Sequence, residues 1–318
     1  MLEKRYLIGL SFVILFSAGF IYLTGILRPS PVSSVVQKEK FWADKVHSKK
    51  KYAVIVAGDS RVYRGIDPQE LSNELGNLAV LNFGFSSGGF NDLIFSEINS
   101  KLLTDATNRI IVLGITPYSL TPKAQENIHF LQEKNRTPEE VFTRRFVNPF
   151  LSFFDPIKPT DLIQNTDTIS GYHEVFNENG WVASYKLPSN PEAALKSYER
   201  DFENNRVQRE LINDLCRQIS VWRKSGILIF AFRVPSTASM ERLENKLSGF
   251  DEDSIKSNVV SSGGIWLDIA NKYGYESYDG SHLSERSAVS FSKYLGKRIF
   301  ESINMYTDTI NSAISDQN

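Results

Sequence analysis

The chain has 318 residues, 41% hydrophobic and 23% charged, which suits one large globular domain or two small ones with a sizeable core. A net charge of -1 gives no global basic field, so nucleic acid is not expected as a partner. Cys216 is the one cysteine, which excludes an internal disulfide and leaves no Cys/His cluster for zinc.

The first predicted element is apolar. Residues 6–27, YLIGLSFVILFSAGFIYLTGIL, carry no charge, and about 20 such residues cross a bilayer as a helix. The stretch is longer than a signal-peptide core and has no convincing small-residue cleavage site after it. Residues 1–27 are therefore read as a short cytoplasmic tip and a retained, single-pass signal anchor. Lys4 and Arg5 precede the span, while Arg28, Lys38, Lys40 and Lys45 follow it, so the charge count alone does not favour export. Long domains translocate despite such charges, and the C-terminal domain is expected outside the cytoplasm.

Residues 28–51, opening with RPSPVSS, read as a linker. Strands and helices then alternate. Tyr52–Ala57 suits a buried parallel strand, and DPQELSNEL (67–75) has the cap, proline and acidic first turn of a helix. AVLNFG (79–84) predicts a second strand, followed by a helix over GFNDLIFSEINSKLL. RIIVLG (109–114) predicts a third, and a long helix from about Pro191 to Lys224 leads into a fourth, GILIFAFRV (226–234). GIWLDIA (264–270) is a short fifth. LSERSAVSFSKYLGKRIFESI (283–303) forms a final amphipathic helix, leaving 307–318 as a tail. This order describes a doubly wound α/β sheet.

Residues 117–190 interrupt the alternation. They are rich in aromatics, Asn and Pro, and read as an inserted cap over the sheet's C-terminal edge rather than as disorder. Within the cap, NPFLSFF (148–154) reads as a core segment, with an exposed partner-docking patch near the membrane as the alternative.

Ligands of open α/β sheets sit beyond the C-terminal strand ends. Three turns fall there: Gly58-Asp59-Ser60, the stretch from Asn82 to Gly89, and Gly114-Ile115-Thr116-Pro117. A fourth polar stretch, YDGSHLSERSA (278–288), puts Asp279 three residues before His282 at the start of the last helix. A serine hydroxyl needs an adjacent base, and that base needs a partner to hold its tautomer. Ser60, His282 and Asp279 supply the three roles, and backbone N–H groups at Ser60 and Gly84 would receive an oxyanion. The competing reading makes Ser60 or Asp59 a plain helix cap. His47, His129 and His173 have no neighbouring motif.

GDS after a strand, N-x-G-x-x-x-G after the second strand and D-x-x-H before the last helix resemble blocks of the SGNH/GDSL hydrolase superfamily. With the anchor, the chain is similar to its membrane-tethered DltD-like and alginate O-acetyltransferase-like branch. The resemblance runs from about Tyr52 to Ile303. It implies a three-layer α/β/α, flavodoxin-like catalytic domain over about 52–306, with Ser60 as nucleophile, Gly84 as oxyanion donor, His282 as base and Asp279 as its orienter. The family's third block reads G-x-N-D; here Thr116 stands at the Asn position, with a hydroxyl of shorter reach as donor.

The implied activity is that of a serine esterase or O-acyltransferase working through an acyl-serine. The implied partners are a cell-envelope polysaccharide or teichoic-acid-like polymer and a membrane-bound O-acyltransferase. An inactive glycan-binding or scaffolding subunit of the same fold is the alternative, and a phosphatase-like or metal-dependent site at Asp59 a distant third. No cofactor and no metal are expected. Arg233, at the end of the fourth strand, is a candidate for binding a carboxylate or phosphate, with an ion pair to the insertion as the other reading. Trp181 and Tyr185 are candidates for stacking on sugar rings, against a role in packing the insertion.

Overall fold

The computed structural model describes residues 2–27, 34–104, 109–152 and 170–315, with side chains described for 4–23, 34–104, 109–152 and 170–305. Five strands form a wholly parallel sheet: β1 (Val54–Gly58), β2 (Val80–Gly84), β3 (Ile110–Ile115), β6 (Leu228–Arg233) and β7 (Ile265–Trp266). Their spatial order is β2-β1-β3-β6-β7. Apart from the short β7, each pairs near the position its apolar run predicts. β4 (Gly171–Phe176) and β5 (Val182–Leu187) form a separate antiparallel ribbon inside the insertion.

Side-chain alternation along the strands divides the core in two. Ile55, Ala57, Leu81, Phe83, Ile111 and Leu113 face one layer, where helices α5 (Asp92–Lys101), α6 (Arg209–Lys224) and α8 (Glu252–Ser261) supply Phe95, Trp222 and Ile255. Val54, Val56, Val80, Ile110 and Val112 face the other, against α3 (Ser60–Gly65), α4 (Pro68–Glu74) and α9 (Glu285–Ser315), which supply Val62, Leu71 and Phe291. Both faces being covered, the strands need no polar alternation, and β1 to β3 are apolar at nearly every position. Each buried Leu, Ile or Phe contributes about 1.5–3 kcal/mol. The result is a mixed α/β protein of three layers with a parallel sheet.

Three boundaries differ from the sequence reading. The helix expected from Pro191 to Lys224 is two: Leu195–Asp201, then α6 from Arg209. Asn204 between them takes a positive φ of 54°, which no helix continues. The final helix runs on to Ser315, through most of the expected tail. The linker is the third. Residues 28–33 lie outside the described residues, but Val35–His47 forms α2, capped by Ser34 and docked on the domain by Phe41, Ala43 and Val46.

Two buried lysines fix α2. Lys101 donates to the carbonyls of Val46 and Ser48 at the helix's C-terminal end. Lys45 donates to the Gly180 carbonyl at 2.9 Å, its ammonium 5.0–5.5 Å from the ring centres of Phe41, Trp42, Tyr63 and Phe85. Burial pushes the Lys45 pKa well below the usual lysine value. Lys45, one of the charged positions that suggest a solvated linker, is thus used inward.

The N-terminal helix α1 (Leu2–Leu27) contains a stretch, Lys4–Leu23, that is long and apolar enough to cross a membrane.

Candidate active site

The sheet register brings the polar turns together. Gly58, Gly84 and Gly114 are partners across β2, β1 and β3 at the C-terminal edge. Two of these glycines have steric reasons. A Cβ on Gly58 would collide with Val62 Cγ2 and stand 2.6 Å from the Gly114 carbonyl. One on Gly84 would meet the Tyr63 nitrogen at 2.8 Å and the Asp59 carbonyl at 2.9 Å. Removing both side chains lets α3 start directly above the strand ends, so Ser60 becomes the first residue of a helix fed by β1.

Asp59 caps that helix, its Oδ1 accepting the Arg61 N–H at 2.9 Å. The capping reading thus belongs to Asp59 and leaves the Ser60 hydroxyl for other work. That hydroxyl lies 2.8 Å from His282 Nε2, and His282 Nδ1 lies 2.8 Å from Asp279 Oδ2. The other carboxylate oxygen accepts the backbone N–H groups of Ser281 and His282, each at 2.8 Å. Burial alone would raise the Asp279 pKa, but the His282 ring and these two N–H groups outweigh it and hold it at about 2. Asp279 is therefore an anion facing Nδ1 of His282, which sets Nε2 to accept from Ser60. The three predicted residues meet although Ser60 and His282 are 222 positions apart.

The loop carrying Asp279 and His282 is tied down along its length. Tyr278 N donates to the His282 carbonyl, Gly280 N donates to Ser277 Oγ, and the Gly280 carbonyl accepts from Thr237 N. The Tyr278 ring stacks on the imidazole with 5.8 Å between centroids and 14° between planes.

Sequence reasoning missed the support beneath this loop. Arg61 is 1% exposed and forms a bidentate pair with the fully buried Glu244, at 2.5 and 3.2 Å. Its Nε donates to Ser281 Oγ at 2.9 Å, and the Tyr198 ring covers the guanidinium at 5.1 Å. The buried Arg61, held by Glu244, therefore links the residue after Ser60 to the residue before His282. The only sequence signal is an arginine beside the GDS turn; its partner is 183 positions away in α7 (Ala238–Ser248).

Four other expectations are corrected. The Thr116 hydroxyl donates to Asp59 Oδ2 at 2.5 Å and is 1% exposed, so its one proton is not available to an oxyanion. The Gly84 N–H donates to Asn82 Oδ1 at 3.1 Å, so it too is engaged. The Ser60 N–H, at the first position of α3, has no acceptor among the described residues. Arg233 is 5% exposed and pairs with Glu244, Glu252 and Asn245 rather than facing a cleft or the insertion. Trp181 is buried under the ribbon, its indole N–H donating to the Arg64 carbonyl.

Tyr185 stacks on His173 across the ribbon at 4.6 Å, beside the site rather than on it. An open cleft of about 360 Å³ adjoins His282 and Asp279, lined by Arg64, Tyr172, Lys186 and Tyr278. A larger cavity of about 710 Å³ is lined by Glu199, Phe202 and Arg206 and touches none of Ser60, Asp279 and His282. Among the described residues no group of three or more His, Cys, Asp or Glu side chains is placed to hold a metal ion.

No family model and no curated protein matches the chain. Among solved structures, it is similar to a Streptococcus pneumonia protein provisionally named a platelet activating factor. The two share 12% identity at a TM-score of 0.34, over 89% of this chain and 96% of the other. At that score the two need not share a fold, and the functional reading stands on the site itself.

Proposed function

We propose that the chain is a membrane-tethered serine esterase or O-acyltransferase of the SGNH type. Its substrate would be an ester-linked acyl group of a cell-envelope polysaccharide or teichoic-acid-like polymer. The supporting observation is the Ser60–His282–Asp279 relay, with both links at 2.8 Å and the carboxylate held ionised.

In this reading Ser60 Oγ attacks the ester carbonyl carbon while His282 Nε2 takes its proton. Asp279 stabilises the imidazolium that forms. The tetrahedral oxyanion receives the Ser60 N–H. The carbonyl-to-alkoxide bond then breaks, and His282 returns the proton to the leaving oxygen, leaving an acyl-Ser60. A second hydroxyl, from water or a polymer, loses its proton to His282 and attacks the acyl carbon; the acyl–Ser60 bond then breaks as His282 gives that proton to Ser60 Oγ. A hydroxyl acceptor makes the protein a transferase and water makes it an esterase; a membrane-bound O-acyltransferase would be the natural source of acyl groups. The catalytic domain lies outside the cytoplasm in this reading.

The second reading, an inactive glycan-binding or scaffolding subunit, is favoured by the engagement of Thr116 and Gly84. A missing oxyanion donor costs about 2.7–4 kcal/mol in the transition state, and two predicted donors are occupied here. Intact-mass analysis of the full-length, detergent-solubilised protein after fluorophosphonate treatment separates the two. A single adduct, absent from Ser60→Ala and His282→Ala, supports the enzyme. No adduct in folded protein, with retained binding to envelope polysaccharide, supports the subunit.

A further inference from the structure

The segment Pro138–Ser152 is a continuous helix with a π-helical turn at Thr143–Val147, and none of its residues is buried. From Phe142 onward its polarity is inverted, while Glu139 and Glu140 of the first turn are exposed. An amphipathic helix on a protein surface turns apolar residues inward and charges outward. Here Arg144 donates to Glu39 and Glu133 at 3.2 Å, Arg145 to Asp44 at 2.6 Å, and Asn148 to Glu39 at 3.3 Å. Those acceptors belong to α2 and to the helix Ile128–Lys134, so the polar side faces the domain. Phe142, Phe146, Phe150 and Leu151 are 58%, 53%, 64% and 56% exposed. The rings of Phe142 and Phe146 lie 5.3 Å apart, a joined aromatic face. Contiguous apolar surface of this kind marks an interaction site.

We propose that this aromatic face lies in the headgroup region of the bilayer entered by α1, seating the domain on the lipid surface. The inference rests on reading α1 as a membrane span. Chain length selects lipid as the occupant. α1 ends at Leu27 and α2 is capped by Ser34, so seven Cα steps separate them, a reach of at most about 25 Å. The inverted helix is pinned by three of its side chains to Glu39 and Asp44 of α2, five and ten residues beyond Ser34, and so stays within about 40 Å of the end of α1. Aromatic residues favour the membrane–water boundary.

The test uses the full-length chain in vesicles of phosphatidylcholine and phosphatidylglycerol. Single cysteines are introduced in a Cys216→Ser background and labelled with an environment-sensitive fluorophore. Phe142→Cys and Phe146→Cys probe the face, Leu15→Cys the span, and Val260→Cys a distant exposed site on α8. The face labels are expected to be quenched by shallow nitroxide lipids and to lose most of their quenching by iodide, whereas the Val260 label shows the reverse. Face labels open to iodide, with the Leu15 label lipid-quenched, overturn the docking and leave the span intact. A Leu15 label open to iodide overturns the span, and the docking with it. Face labels shielded from both quenchers show protein rather than lipid on this surface, which also overturns the proposal.

Discussion

The Thr116 hydroxyl donates to the buried Asp59 carboxylate across 2.5 Å, joining the end of β3 to the cap of α3. It acts on the residue before Ser60, not on the substrate. Thr116→Val strips Asp59 of its only side-chain donor among the described residues. We expect a loss of about 1–3 kcal/mol in stability, the cost of a buried acceptor left unpaired. The turnover of a small ester should fall much less than the roughly 10²–10³-fold that follows removal of an oxyanion donor. Denaturant unfolding alongside kcat measures both effects.

Ser60→Ala should abolish fluorophosphonate labelling and ester turnover with little change in Tm. The hydroxyl's described contact is to the ring of His282, so its loss removes no core packing. An active Ser60→Ala protein would sink the proposed function.

Asp279→Asn should lower kcat by about 10⁴-fold, because an amide no longer enforces the Nδ1–H tautomer. The carboxylate also has a stability signature. Its folded pKa of about 2 lies below the unfolded value near 3.9, so its contribution is present above that value and is lost as pH falls towards 2. The expected size is roughly 2–3 kcal/mol. The stability gap between wild type and Asp279→Asn should therefore close between about pH 4 and 2, read by chemical denaturation across that window.

Arg61 and Glu244 form a buried pair, and breaking one side leaves a bare charge. Glu244→Leu should cost about 3–5 kcal/mol, and the double variant Arg61→Met/Glu244→Leu less than the sum of its singles. A double-mutant cycle by thermal unfolding measures that coupling. Residual activity in the double variant should fall through kcat rather than KM, because Arg61 reaches His282 through Ser281.

Gly58→Ala places a methyl group 2.6 Å from the Gly114 carbonyl, and backbone cannot yield as a side-chain tip can. We expect severe destabilisation or a displaced α3, seen as loss of soluble protein or of labelling at Ser60.

Much of the sheet was legible because its strands are short apolar runs ended by glycine, a pattern that survives without any knowledge of neighbours. The meeting of Ser60, His282 and Asp279 was legible for a related reason: Asp279 and His282 share one turn, and GDS follows a strand. What escaped is what depends on contacts between distant segments. Lys45 in its ring of four aromatics looks in sequence like one more solvated lysine. Arg233, at a strand end where a ligand cation would sit, is taken by glutamates on later helices. Gly84 and Thr116 were placed correctly at the edge, but the atoms that occupy them, Asn82 Oδ1 and Asp59 Oδ2, are fixed by side-chain rotation that spacing does not encode.

The 222-residue gap between Ser60 and His282 has a consequence for synthesis. At roughly 5–20 residues per second, a ribosome delivers the serine on the order of 10–45 s before the histidine. Throughout that interval the Gly58–Ser60 turn is present without a base. A chain cut short anywhere before His282 keeps the hydroxyl and lacks the imidazole that, in the proposed function, would activate it.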